Sequence, residues 1–270
     1  MKLSLEKRLL WLFRISVFME FVGHGAFGII GKEAWLPYFG VVGIPGPWAW
    51  KLMPLIGTVD ISVGIITLLS PRRAVLLYAT LWGFWTALLR PLAGEPVWET
   101  IERAGNYGLP LAFLLASQAR GWFSRLEIRP LDAALNQRLA WILRVTTSAL
   151  LIGHGALEAV VQKPLLQQHL AAVGLSLVPI TALGGFEIAL GMAVLLDSAG
   201  ALLLFAAAWK ITTESLYPIS GAPFWEFIER GGSYIAPLAL FFLIHQARIV
   251  PGKPPTYPSP LSVAESLQKA

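Results

Sequence analysis

"FVGHGAFGIIGKEAW", residues 21 to 35, sets a histidine between two glycines inside an apolar run, and "LIGHGALEAVVQKPL", residues 151 to 165, does so again. A lone buried imidazole is most often a satisfied core group, but Gly-His-Gly-Ala twice in 270 residues points to a duplicated unit. Extending outward, Trp11, Arg14, Gly23, His24, Gly25 and Ala26 recur 130 positions on as Trp141, Arg144, Gly153, His154, Gly155 and Ala156. A loop three residues shorter then changes the offset to 127. At that offset Gly57, Gly64, Trp82, Pro91, Trp98, Glu99, Glu102, Arg103 and Tyr107 meet Gly184, Gly191, Trp209, Pro218, Trp225, Glu226, Glu229, Arg230 and Tyr234. So long a run of matched glycines, prolines and charges reads as tandem duplication.

Composition sets the environment. Hydrophobic residues are 56% of the chain and charged residues 14%, and the apolar runs approach the ~20 residues that a bilayer-spanning helix needs. The expected fold is all-α: a polytopic membrane protein of eight helices, with spans near 11–31, 52–70, 73–91 and 98–119, then 140–162, 176–196, 199–217 and 226–247. The apolar stretch after the basic start has no small-residue cleavage site and contains Glu20 and His24, so a retained first span is expected. The domains follow as 1–122, a cytoplasmic linker at 123–139, a second unit at 140–250 and a Pro-rich tail at 251–270. An even number of spans per copy gives both copies the same orientation, hence two parallel four-helix bundles about an axis along the membrane normal.

A formal charge of +5 invites a nucleic-acid reading, but the basic residues sit in loops between spans. Most Lys and Arg fall on one side: Lys2 to Arg14, Arg72 and Arg73, Arg120 to Arg144, and Arg248 to Lys269. The excess of positive charge on cytoplasmic loops then places both termini in the cytoplasm. With no cysteine there is no disulfide, thiolate metal site or dithiol chemistry on this chain. No phosphate-binding loop, nucleophile elbow or zinc-protease string occurs, so hydrolytic and ATP-driven activities are not expected.

Topology assigns depth to the polar groups. His24 and Asp60 come to one level in the outer half of the membrane, His154 and Glu187 do so in the second copy, and Glu20 lies one turn below His24 on the same helix face. Lys210 and Glu214, again four apart, join them; Gly83 stands at the equivalent of Lys210. Ionisable groups at such depth face a bundle interior, a partner or a water-filled cavity. The motifs "GEPVWETIERAGNYGLP" (94–110) and "GAPFWEFIERGGSYIAP" (221–237) start helices at Pro96 and Pro223. They put Glu102, Arg103, Glu229 and Arg230 at the outer edge of the hydrocarbon, where a salt bridge capping the interface is expected ahead of a binding role. For the two histidines, gluing helices by bonding a carboxylate and holding a ligand stand level. No metal site is expected, because His24, Glu20 and Asp60 lack compact ligand spacing.

A first span ending in a histidine among small residues, a lysine soon after (Lys32, Lys163), and a second span opening "TVDISVGIITLL" or "GFEIALGMAVLL" resemble the DoxX-like family of four-span membrane proteins, in each half separately. The resemblance implies quinone-linked redox chemistry, other membrane redox subunits as partners, and a bacterial cell membrane as location. It points to a quinone as cofactor ahead of a haem held between the two histidines, with Trp82, Trp85 and Trp209 as flat walls. A small-solute carrier or channel, or a non-catalytic scaffold, fits the same residues.

Overall fold

The computed structural model describes residues 4–128 and 130–247. It is helical almost throughout. The helices are α1 (Leu5–Ile30), α2 (Leu36–Val41), α3 (Gly46–Leu69), α4 (Arg73–Leu92), α5 (Trp98–Glu102) and α6 (Ala104–Ala116). They continue as α7 (Ala133–Ala159), α8 (Pro164–Ala172), α9 (Ile180–Leu196), α10 (Gly200–Ile219), α11 (Trp225–Glu229) and α12 (Gly231–Ala247). Ser4 and Asp132 open α1 and α7 by accepting from the backbone N–H three residues on, the expected use of such residues at a helix start.

Among the described residues, five segments are long and apolar enough to cross a membrane: α1, α3, α4, α7 and the run Trp225–His245. Helices α6 and α9 are shorter apolar segments. Helix α10 is as long as α4 but carries Lys210 and Glu214 in its buried face. Outward faces carry large apolar side chains, with Leu55, Leu81, Leu196 and Ile219 all more than half exposed. This is a surface suited to lipid.

Packing explains the glycines. Helix α1 lies along α3 and α7 along α9. A Cβ at Gly25 would come within 2.6 Å of the Gly57 carbonyl oxygen, and one at Gly155 would overlap that of Gly184, so each crossing needs small residues on both helices. The short helices then exchange sides: α11 packs on α1 and α5 on α7. A side chain at Gly23 would collide with the Glu229 backbone, and one at Gly153 with that of Glu102. The bundles expected at 1–122 and 140–250 are therefore interleaved, each first helix being covered by the opposite half. One apolar cluster joins them, running from Leu9, Phe13 and Leu109 to Leu139, Leu151 and Leu240, all at most 1% exposed.

Three expectations are revised. The stretch 123–139 is not wholly linker: α7 begins at Ala133, and Glu127–Ile128 pairs antiparallel with Ser117–Gln118. The helices expected at 98–119 and 226–247 each carry a turn, at Arg103 and Arg230, while the run Trp225–His245 keeps the length and apolarity of a span. The loops after α1 and α7 contain helices α2 and α8. The tail at 251–270 and the basic residues Lys2, Arg129, Arg248, Lys253 and Lys269 lie outside the described residues.

Candidate functional site

The two breaks show what the repeated Trp-Glu-x-Ile-Glu-Arg motif does. A helix interrupted inside a bundle leaves carbonyls without N–H partners, which must be satisfied locally. Arg103 Nη1 donates to the Glu99 carbonyl oxygen at 2.9 Å and to the Glu99 and Glu102 carboxylates at 2.6 and 2.5 Å. Arg230 Nη1 likewise donates to the Glu226 carbonyl at 3.1 Å and to the Glu226 carboxylate. Tyr107 and Tyr234 hydroxyls donate across the breaks to the carbonyls of Thr100 and Phe227. Lys32 then reaches Glu226 at 2.9 Å, and Lys163 reaches Glu99, so each lysine ties one half to the other. Glu102, Arg103, Glu229 and Arg230 thus occupy the seam between the halves.

The paired histidines face carboxylates as their depth suggested. His24 Nδ1 lies 2.8 Å from Asp60 Oδ2, and His154 Nδ1 lies 2.6 Å from Glu187 Oε2. Around these matched pairs the halves diverge. In the second half Trp209 Nε1 donates to Glu187 Oε1 at 2.6 Å, and Lys210 Nζ sits 2.9 Å from Glu214 and 3.6 Å from Glu187. In the first, Trp82 Nε1 and Asp60 Oδ1 are both buried without a hydrogen-bond partner among the described residues. Asp60 is one methylene shorter than Glu187, and Gly83 and Ala87 stand where Lys210 and Glu214 fill the second half. Glu20, four residues before His24, is 4% exposed and its Oε2 also lacks a partner there.

These differences shape two cavities. The first, about 160 Å³, is lined by His24, Trp35, Tyr38, Phe39, Trp82, Trp85 and Arg90 among others. Helix α2 folds back as its cover: Trp35 stacks on the His24 ring at 4.4 Å between centroids, and Tyr38 donates to Glu95 while accepting from Arg90 at 2.9 Å. Burial pushes the Tyr38 hydroxyl above its ordinary range, keeping it a donor. At the corresponding place in the second half, Tyr217 replaces Arg90, and His169 of α8 meets its ring edge-on at 4.4 Å. Burial holds the His169 imidazole below the usual histidine range. The second cavity, about 30 Å³, lies at the seam among Glu102, Arg103, Asn106, His154, Lys210, Glu214, Glu229, Arg230 and Ser233. That is room for one or two waters. Arg103, Asn106 and Glu229 line both cavities.

Trp82 and Trp85 line the larger cavity, whereas Trp209 does not; its indole N–H is engaged by Glu187. Lys210 and Glu214 pair as their spacing suggested. Two features were missed in the sequence. Trp35 and Tyr38 join the cavity through the turn of 3₁₀ helix Glu33–Trp35 and α2, which no periodicity announced, and they meet Arg90 near the end of α4. Glu158 joins His154 and Glu187, the three offering ligand atoms within 4.8 Å of one another; its position four residues after His154 was the available signal. No protein-family model, curated protein or solved structure matches the chain.

Proposed function

We propose that the chain is an integral membrane protein built of two DoxX-like four-helix repeats, eight spans with both termini cytoplasmic, that binds a quinone in the first-half cavity and works beside a redox partner subunit. The repeat rests on the matched positions of the two halves, and the orientation on the basic residues of one set of loops. The observation that carries the quinone reading is the cavity of about 160 Å³. An apolar hole of about this size accepts an aromatic ring. This one has indole walls, Trp82 Nε1 as a free buried donor, and an imidazole whose Nδ1 is committed to Asp60, leaving Nε2 for a ligand.

That imidazole–carboxylate arrangement suits quinol oxidation. With Nδ1–H donated to Asp60, Nε2 can accept the hydroxyl proton, and the carboxylate stabilises the imidazolium that forms. Oxidation of a quinol releases two protons and two electrons: His24 Nε2 takes one proton, the second leaves to water, and both electrons pass to an electron-accepting cofactor of the partner subunit. The second half, with Lys210, Glu214 and Tyr217 occupying the corresponding space, is the structural counterpart of this site.

Titration of detergent-purified protein with a short-tailed benzoquinone or naphthoquinone, followed by tryptophan fluorescence, tests this reading. Saturable quenching is expected, weakened by roughly tenfold or more in Trp82→Phe, the effect of losing about one buried hydrogen bond. Non-saturable quenching, or binding unchanged in both Trp82→Phe and His24→Ala, would overturn it in favour of a solute carrier or scaffold.

A further inference from the structure

We infer that the second half holds a divalent first-row transition-metal ion between His154, Glu158 and Glu187, independently of whether the first half binds a quinone.

The three side chains bring one potential ligand atom each to within 4.8 Å of the others. His154 Nδ1 lies 2.6 Å from Glu187 Oε2 and 3.1 Å from Glu158 Oε1. Ligands about 2.1 Å from one metal ion and about 90° apart are separated by about 3 Å, so both contacts resemble edges of one polyhedron. The shorter edge is the one a hydrogen bond closes when no ion is present.

Glu158 supplies an independent reason. It is 3% exposed, yet neither carboxylate oxygen accepts a hydrogen bond from any described residue. The 3.1 Å approach to His154 is out of line for one, and the single Nδ1 proton is already directed to Glu187. A carboxyl group buried in this way costs several kcal/mol whether ionised or protonated, because the protonated form also needs an acceptor. A cation between the three groups removes that cost.

Glu214 is shared by Lys210 and Arg230, at 2.9 and 3.2 Å, and Glu187 lies 3.6 Å from Lys210, whereas no ammonium or guanidinium bridges Glu158 among the described residues. Lys210 approaches Glu187 through Oε1, where Trp209 also donates, leaving Oε2 for the ion. Such outer contacts orient a ligating carboxylate. One imidazole with two carboxylates suits Mn²⁺, Fe²⁺, Co²⁺ or Zn²⁺. The first half cannot form this site, because Gly28 stands where Glu158 does.

The test is Co²⁺ loading of the full-length, chelator-stripped protein in detergent. Expected are a visible d–d absorption saturating at one ion per chain and loss of more than about 100-fold in affinity in Glu158→Gln. Glu158→Gln keeps the His154–Glu187 bond and so the local fold. Should it still fail to fold, Mn²⁺ bound to the unaltered protein must show nitrogen coupling from one imidazole by pulsed electron paramagnetic resonance. A colourless, non-saturating Co²⁺ titration, an affinity unchanged in a folded Glu158→Gln, or Mn²⁺ without nitrogen coupling would each overturn the assignment.

Discussion

At the scale of the residue, His24 and Asp60 test how much a single buried pair holds. Asp60 is fully buried, its Oδ1 has no partner among the described residues, and His24 is the group bonded to Oδ2. Removing the imidazole strands a carboxylate in an apolar bundle, which costs about 3–5 kcal/mol when one partner of a buried pair is lost. His24→Ala is therefore expected to lower unfolding free energy in mixed micelles by about that amount. Adding Asp60→Asn should restore a substantial part, since the orphaned charge is gone while the volume remains. A double variant no more stable than His24→Ala alone would show that the pair is not coupled as the 2.8 Å contact indicates.

At the scale of the element, the two helix crossings at the seam depend on the absence of a side chain. Gly153 lies against the backbone of Glu102, and Gly23 against that of Glu229, with no flexible group that could move aside. Gly153→Ala should cost about 1–3 kcal/mol by overpacking, and it should loosen α5 from α7. Gly40 has nothing within 4 Å of its would-be Cβ, so Gly40→Ala is the control and should change stability by less than about 0.5 kcal/mol. Equal thermal midpoints for the two variants would mean that α5 does not dock on α7 this closely. The arginine caps belong to the same scale: Arg103 and Arg230 close the breaks that let α5 and α11 turn towards the opposite half.

At the scale of the whole molecule, interleaving makes neither half self-sufficient. Helix α1 is covered by α11 and α12, and α7 by α5 and α6, so a separated half would expose Gly23 or Gly153 together with the carboxylates beside them. A chain split between Phe123 and Ser124 should yield two fragments that co-purify when expressed together. Each alone should be degraded or aggregate. A first fragment that unfolds cooperatively by itself, at the midpoint of the intact protein, would contradict the exchange of α5 and α11.

What the sequence determined by itself is whatever depends on local order. Hydrophobic runs specify helices because each must satisfy its own backbone in an apolar setting. Matched positions recur at offsets of 130 and 127, and depth along a helix was enough to bring His24 to Asp60 and His154 to Glu187. What only the tertiary structure decided is which copy of a repeated element meets which. Two near-identical Trp-Glu-x-Ile-Glu-Arg segments can each serve either half as far as pattern goes, and the choice is made by close contacts such as Gly23 on Glu229. The cavities follow the same logic. Gly83 opposite Lys210 is visible in the sequence, but the open space of about 160 Å³ depends on α2 folding back over residues far from it in the chain, and the one of about 30 Å³ on the meeting of both breaks with α7 and α10 at the seam. Glu158 stands between the two cases: its spacing from His154 was legible, but its convergence with Glu187 required the α7–α9 crossing that glycines 155 and 184 permit.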